Sequence, residues 1–90
     1  LMAWGRVSAT DQARITGYIN KPDVTHLLSF NEPDNTDQAN IVESEAATLH
    51  ANLAATGLRL GSPATTEDKV WTWQKTFMAA TRAANTRVDY

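Results

Sequence analysis

The residues best suited to chemistry sit in one short stretch, SFNEPDN, at positions 29–35. Glu32 and Asp34 flank Pro33, Asn31 stands just ahead, and all follow the apolar run HLLSF. A carboxyl group gives or takes a proton, an amide holds a hydroxyl, and a proline stiffens the backbone. The same residues also make an ordinary turn, with Glu32 a solvated acid at a strand end. What separates the two readings is how Glu32 is held. A residue before proline is pushed toward extended backbone. The sequence therefore predicts Glu32 as the last extended residue of a strand, partly shielded by its neighbours. Shielding favours the protonated carboxyl, which is the form that donates a proton.

Two further segments carry residues of matching chemistry, WGRVS (4–8) and GSPATT (61–66). Together the three segments hold Trp4, Arg6, Asn31, Glu32, Asp34, Asn35 and Ser62. An aromatic plate beside amides and carboxylates suits a sugar, whose ring face stacks while its hydroxyls hydrogen-bond. GSPA has neither the second glycine nor the lysine of a phosphate loop. Asp34, Asp37, Glu43 and Glu45 lack the spacing and central glycine of a calcium loop and read as loop and helix-start acids. His26 falls in a strand and His50 on a helix, neither with a Ser or Cys neighbour in a triad arrangement. The absence of cysteine excludes disulfides and thiolate metal sites.

Four short apolar runs alternate with three helical patterns. LMAW (1–4) is the first run. Ser8 and Asp11 then stand at capping-box spacing, ahead of a helix over 9–20 carrying Ala13, Ile15 and Ile19 and ended by Pro22. VTHLLSFN (24–31) is the second run, apolar enough to be buried on both faces. A helix over 41–56 presents Val42, Ala46, Leu49 and Leu53 on one side, with Asn40 and Glu43 as caps and Gly57 at its end. LRLGSPA (58–64) is the third run. A helix over 67–84, capped by Thr65 and Asp68, has the stripe Val70, Trp73, Phe77, Ala80 and Ala84, and RVDY opens a fourth strand. Trp73 belongs to the core, while Trp71 faces elsewhere.

The strand starts recur at roughly the length of a βαβ unit, which makes the strands parallel. An α/β fold follows, either an open doubly wound sheet or a stretch of a (β/α)₈ barrel. A whole barrel takes about 250 residues, so these 90 residues hold only some of its units. In both architectures sites form at the C-terminal ends of the strands. The net charge of −2 with mixed signs offers no footprint for nucleic acid, and no apolar run is long enough to span a membrane. The 42% hydrophobic content fits a packed domain. LMAWG begins in mid-pattern and RVDY stops at a strand start, so the chain reads as a piece of a longer protein.

The string LLSFNEPDN, then QAN, then TGLRLGSPA, then an aromatic-rich helix ending at RVDY resembles the catalytic core of glycoside hydrolase family 128. Those enzymes are β-1,3-glucanases of the large retaining clan built on (β/α)₈ barrels. FNEPD with LGSPA at this spacing is specific, whereas NEP alone is not. The resemblance runs over nearly the whole chain, from the end of barrel strand three to the start of barrel strand six. It implies Glu32 as the general acid/base and Asn31 as the amide that contacts the sugar 2-hydroxyl. Asp34 and Asn40 match the substrate-binding loop after strand four, and Gly61, Ser62 and Pro63 the turn after strand five. Trp4 matches an aromatic after strand three.

Retaining chemistry needs a second carboxyl about 5–5.5 Å away. The family's nucleophile lies at the end of strand seven, beyond Tyr90, and the aromatic and histidine motif expected after VDY is missing. The resemblance thus implies that residues 1–90 are a fragment of a single TIM-barrel catalytic domain carrying half of the catalytic pair. The full-length protein would be a secreted or cell-wall endo-β-1,3-glucanase acting on β-glucan polysaccharide or oligosaccharide, without metal or cofactor. The isolated chain is expected to be inactive, and to pair with the remainder of its own barrel or self-associate. The alternatives are a non-catalytic partial barrel that binds glucan or a protein, and an unrelated open-sheet binding domain.

Overall fold

The structure, a computed structural model, describes residues 1–66 and 69–90. Three strands, β1 (Met2–Trp4), β2 (His26–Phe30) and β3 (Arg59–Gly61), alternate with three helices, α1 (Ala9–Ile19), α2 (Glu43–Ala54) and α3 (Lys75–Ala83). The strands form a parallel sheet in the order β1-β2-β3. Leu27 pairs with Leu60, and Met2, Leu28 and Gly61 share one row across the sheet. A single core takes in Ala3, Leu27 and Leu60 from the strands and Ile15, Ala46, Leu53 and Phe77 from the helices. The helices therefore cover one face. The opposite face is open enough that Leu28 is 43% exposed. The expected burial of β2 on both faces is met on the helix side and at Phe30, whereas His26 and Leu28 stay exposed because no described helix or strand lies over them.

Local chemistry sets the helix ends. At α1 the Ser8 hydroxyl accepts the Asp11 N–H at 3.2 Å and donates to its carboxylate at 3.0 Å, the cap that SATD predicted. The caps expected for α2 do not form. Its N-cap is Val42, with no side-chain partner, and Asn40 instead takes φ +49° two residues earlier. The buried face of α2 is accordingly turned from the predicted one. Ala46, His50 and Leu53 are buried, Leu49 is half-buried, and Val42 is exposed. Gly57 ends this segment at φ +80°, a conformation open to glycine at little cost.

The single helix expected over 67–84 is divided. Val70–Gln74 form a π-helical turn that runs into α3; Asp68 and the expected start at 67 lie outside the described residues. A π turn adds about one residue to the α-helical turn and shifts the register. The buried stripe is consequently Trp73, Phe77 and Thr81, while Val70 and Ala84 are exposed. Trp73 donates its indole N–H to the Ile41 carbonyl at 3.0 Å and stacks on Phe77 at 5.5 Å. Trp71 faces solvent. RVDY does not form a fourth strand. It runs beside β3 and exchanges two backbone bonds with it, Asp89 N–H to Leu60 at 2.8 Å and Ser62 N–H to Tyr90 at 2.7 Å. The tight approach here explains Gly61: a Cβ would meet Leu28 and Tyr90 side-chain atoms at 3.0 Å.

Candidate active site

The C-terminal ends of the three parallel strands converge through main-chain bonds. Asn31 donates its N–H to the Trp4 carbonyl at 2.7 Å, binding the end of β2 to that of β1. On the other side Asn31 bridges Ala64, and the Glu32 N–H donates to the Ala64 carbonyl at 2.7 Å. Glu32 is therefore fixed where β2 leaves the sheet, with its backbone tied to the segment after β3. It is not extended as the sequence predicted. Its φ is +43°, in the left-handed region, although proline follows. The preference imposed by Pro33 is overridden by three bonds: Glu32 to Ala64, Asn35 N–H back to the Glu32 carbonyl at 3.0 Å, and Asn35 Nδ2 to Glu32 Oε2 at 3.2 Å. The side chain is half-buried.

Trp4 is equally unusual. Its φ is +72°, and Gly5 N–H reaches the Ala3 carbonyl at 2.9 Å around it. That is a γ-turn of the strained, positive-φ kind, occupied here by a bulky residue that rarely adopts it. Trp4 remains 48% exposed at the mouth of the strand ends. Left-handed non-glycine residues cost about 1–3 kcal/mol each and gather at functional sites. Among the described residues Trp4, Glu32 and Asn40 are three of the four such residues, and they lie at the end of β1 and in the loop after β2.

The other residues singled out by sequence are distributed around this centre. Asn31 is half-buried, and its amide donates to Gln38 Oε1 at 3.0 Å. Asp34 accepts the Thr66 N–H at 3.1 Å and the Thr66 hydroxyl, joining the loop after β2 to the loop after β3. Burial alone would raise the Asp34 pKa, but the Thr66 hydroxyl and N–H outweigh it and hold this carboxyl below the usual range. Ser62 is half-buried and donates its hydroxyl to the Pro63 carbonyl at 3.2 Å. Asn40 is exposed at the far end of the loop. Arg6 leaves the site: it forms a two-point ion pair with Glu45, each contact 2.8 Å, across to the first turn of α2. Among the described residues no three His, Asp or Glu side chains gather as a metal site, and no helix is long and apolar enough to cross a membrane.

The family profile "Glycosyl hydrolase catalytic core" matches residues 1–90. The chain belongs to this family. Solved structures refine the placement. An endo-β-1,3-glucanase of glycoside hydrolase family 128 from Amycolatopsis mediterranei, in complex with laminaritriose, is 38% identical, with a TM-score of 0.81 over 99% of this chain and 36% of that one. A second endo-β-1,3-glucanase of family 128, from Sorangium cellulosum, is 32% identical, with a TM-score of 0.79 over 99% and 39%. A curdlan-specific exo-β-1,3-glucanase from Blastomyces gilchristii, in complex with glucose, is 33% identical, with a TM-score of 0.77 over 98% and 40%. The fold is thus that of the family 128 β-1,3-glucanases, and the chain spans little more than a third of the length of these relatives. No curated protein matches it.

Three contributors to the site escaped the sequence reading. Thr66 and Gln38 hold Asp34 and Asn31, and the Ala64 carbonyl holds Glu32. The 32-residue separation of Asp34 and Thr66 leaves no local signal. Asn35, three residues after Glu32 and already named from the sequence, did carry a local signal, since Asn side chains commonly close turns onto nearby groups.

Proposed function

We propose that this chain supplies the acid/base side of a retaining β-1,3-glucan hydrolase. Residues 1–90 are part of one (β/α)₈ catalytic domain whose other units complete the sheet. The observation that carries the reading is Glu32, a strained carboxylic residue tied between the ends of β2 and β3, in a chain aligned over nearly its whole length with β-1,3-glucanases.

The mechanism follows from the positions. Glu32 in its protonated form donates to the glycosidic oxygen as the bond to the anomeric carbon breaks. A second carboxylate, contributed by a part of the protein outside this chain, attacks that carbon and forms a glycosyl ester. Glu32, now ionised, takes a proton from water, and the resulting hydroxide displaces the ester with overall retention. Asn31 lies beside Glu32 to bind the 2-hydroxyl, and the exposed face of Trp4 stacks a glucosyl ring. Ser62 and Asn40 line the outer sugar contacts. Two carboxyl groups suffice for these steps, and none requires a metal or organic cofactor. On the resemblance to the family alone, the enzyme acts outside the cell or in its wall.

The test is Glu32→Ala in the full-length protein with a laminari-oligosaccharide as substrate. Loss of general acid catalysis lowers the rate by about 10²–10⁴-fold. Hydrolysis near the parent rate returns the residue to the role of a strand-end acid.

A further inference from the structure

We propose that Asp34 is a positioning residue for the proton donor, acting through Thr66, and not a ligand of the sugar. The inference rests on the acid/base reading of Glu32 and extends it to the support behind that residue. The loops after β2 and β3 are joined at two matched points. Glu32 donates its N–H to the Ala64 carbonyl at 2.7 Å; two residues further along each loop, Asp34 accepts the N–H of Thr66 at 3.1 Å and its hydroxyl. Between the two ties lies Pro33, buried, whose carbonyl accepts the Ile41 N–H at 2.7 Å. Asn35 closes the loop from beyond by binding both the carbonyl and the carboxylate of Glu32.

This arrangement answers what keeps Glu32 at φ +43° ahead of a proline. Such a conformation persists only where its surroundings over-determine it. The Asp34–Thr66 contact is the tie that prevents the loop from unwinding on the side of Asp34. Each carboxylate oxygen of Asp34 already takes a donor from Thr66, Oδ1 the N–H and Oδ2 the hydroxyl. The Thr66 bonds also lower the pKa of the carboxyl against the effect of burial and so favour its ionised, accepting form. Its capacity for glucosyl hydroxyls is correspondingly reduced.

The experiment uses the full-length protein and two substrates: a laminari-oligosaccharide, whose leaving group needs a proton, and a dinitrophenyl β-laminari-oligosaccharide, whose leaving group does not. For Asp34→Ala, kcat/KM on the oligosaccharide falls about 10–100-fold, the cost of a misplaced catalytic group, and the fall is in kcat. The dinitrophenyl substrate loses less than about threefold, because its first step does not use the donor. Asp34→Asn keeps an oxygen for the Thr66 N–H and turns its amide to the hydroxyl, so it recovers most of the loss. Thr66→Val repeats the pattern more weakly, and combining it with Asp34→Ala adds nothing further. A rise in KM for both Asp34→Ala and Asp34→Asn with kcat retained makes Asp34 a sugar ligand and overturns the proposal. Equal losses on both substrates overturn it as well, since a general structural defect does not distinguish leaving groups. Glu32→Ala separates the two levels. If it shows the leaving-group dependence and Asp34→Ala does not, this inference alone falls; if Glu32→Ala lacks it, the acid/base reading fails and takes the inference with it.

Discussion

At the scale of single residues, local preference yields to tertiary bonding wherever this chain does something unusual. His50 is the clearest case away from the site. It is fully buried, with Nδ1 3.2 Å from the Ser29 hydroxyl, Nε2 3.1 Å from the Arg87 carbonyl, and Phe77 edge-on at 5.2 Å. A carbonyl only accepts, so Nε2 carries the proton and Nδ1 receives the Ser29 hydroxyl. Burial lowers the His50 pKa from 6.5, partly opposed by the bond to Arg87 and by the charge of Asp89. The unfolded chain therefore binds a proton that the native state resists. The stability contributed by neutral His50 is complete above pH 6.5 and is lost as pH falls through the lowered native value. Urea midpoints of the full-length protein at about pH 7.5 and about pH 5.5 test this, because His→Gln at position 50 removes the titrating group. Wild type should lose more stability on acidification than the variant; equal losses contradict it. The sequence marked Glu32 and Asn31 through residue type and placement after an apolar run. It did not disclose the left-handed turn at Glu32, because the bonds that hold it come from residues 35 and 64.

At the scale of elements, the alternation of strands and helices was legible because period and punctuation agree: Ser8 caps, Gly57 ends, and Leu27 and Leu60 sit where a buried sheet face needs them. The π turn was not. Val70, Trp73 and Phe77 fit an α-helical stripe on paper; in the structure Trp73 bonds to Ile41 and stacks on Phe77, whereas Val70 is left exposed at the start of the π turn. The same limit explains α2, where the pattern favoured Leu49 and packing buried His50. Mutation distinguishes the two tryptophans. Trp73→Ala empties a packed site and should cost about 3–5 kcal/mol. Val70→Ala and Trp71→Ala, at exposed positions, should each stay within about 0.5 kcal/mol in urea unfolding of the full-length protein. A large loss at Val70 restores the α-helical register and contradicts the π turn.

At the scale of the whole molecule, the described residues form a sheet with one face covered by helices and the other largely open, and on the proposed reading its site holds one carboxylate of a pair. On the proposed reading, the missing units lie against β1, against 87–90 and over Leu28. The isolated 90-residue chain should then self-associate through its unpaired edges and release no reducing sugar from β-1,3-glucan; sedimentation and a reducing-end assay read both, and an active monomer contradicts both. The central claim, that Glu32 is the acid/base of a retaining enzyme, is tested most directly by Glu32→Ala in the full-length protein given a dinitrophenyl β-laminari-oligosaccharide and azide. The first step proceeds without a proton donor, the glycosyl ester accumulates for want of a base, and azide, which needs no base, enters where the carboxylate stood. The predicted product is the β-glycosyl azide, formed by two inversions. An α-glycosyl azide, formed by one, makes Glu32 the nucleophile and contradicts the account.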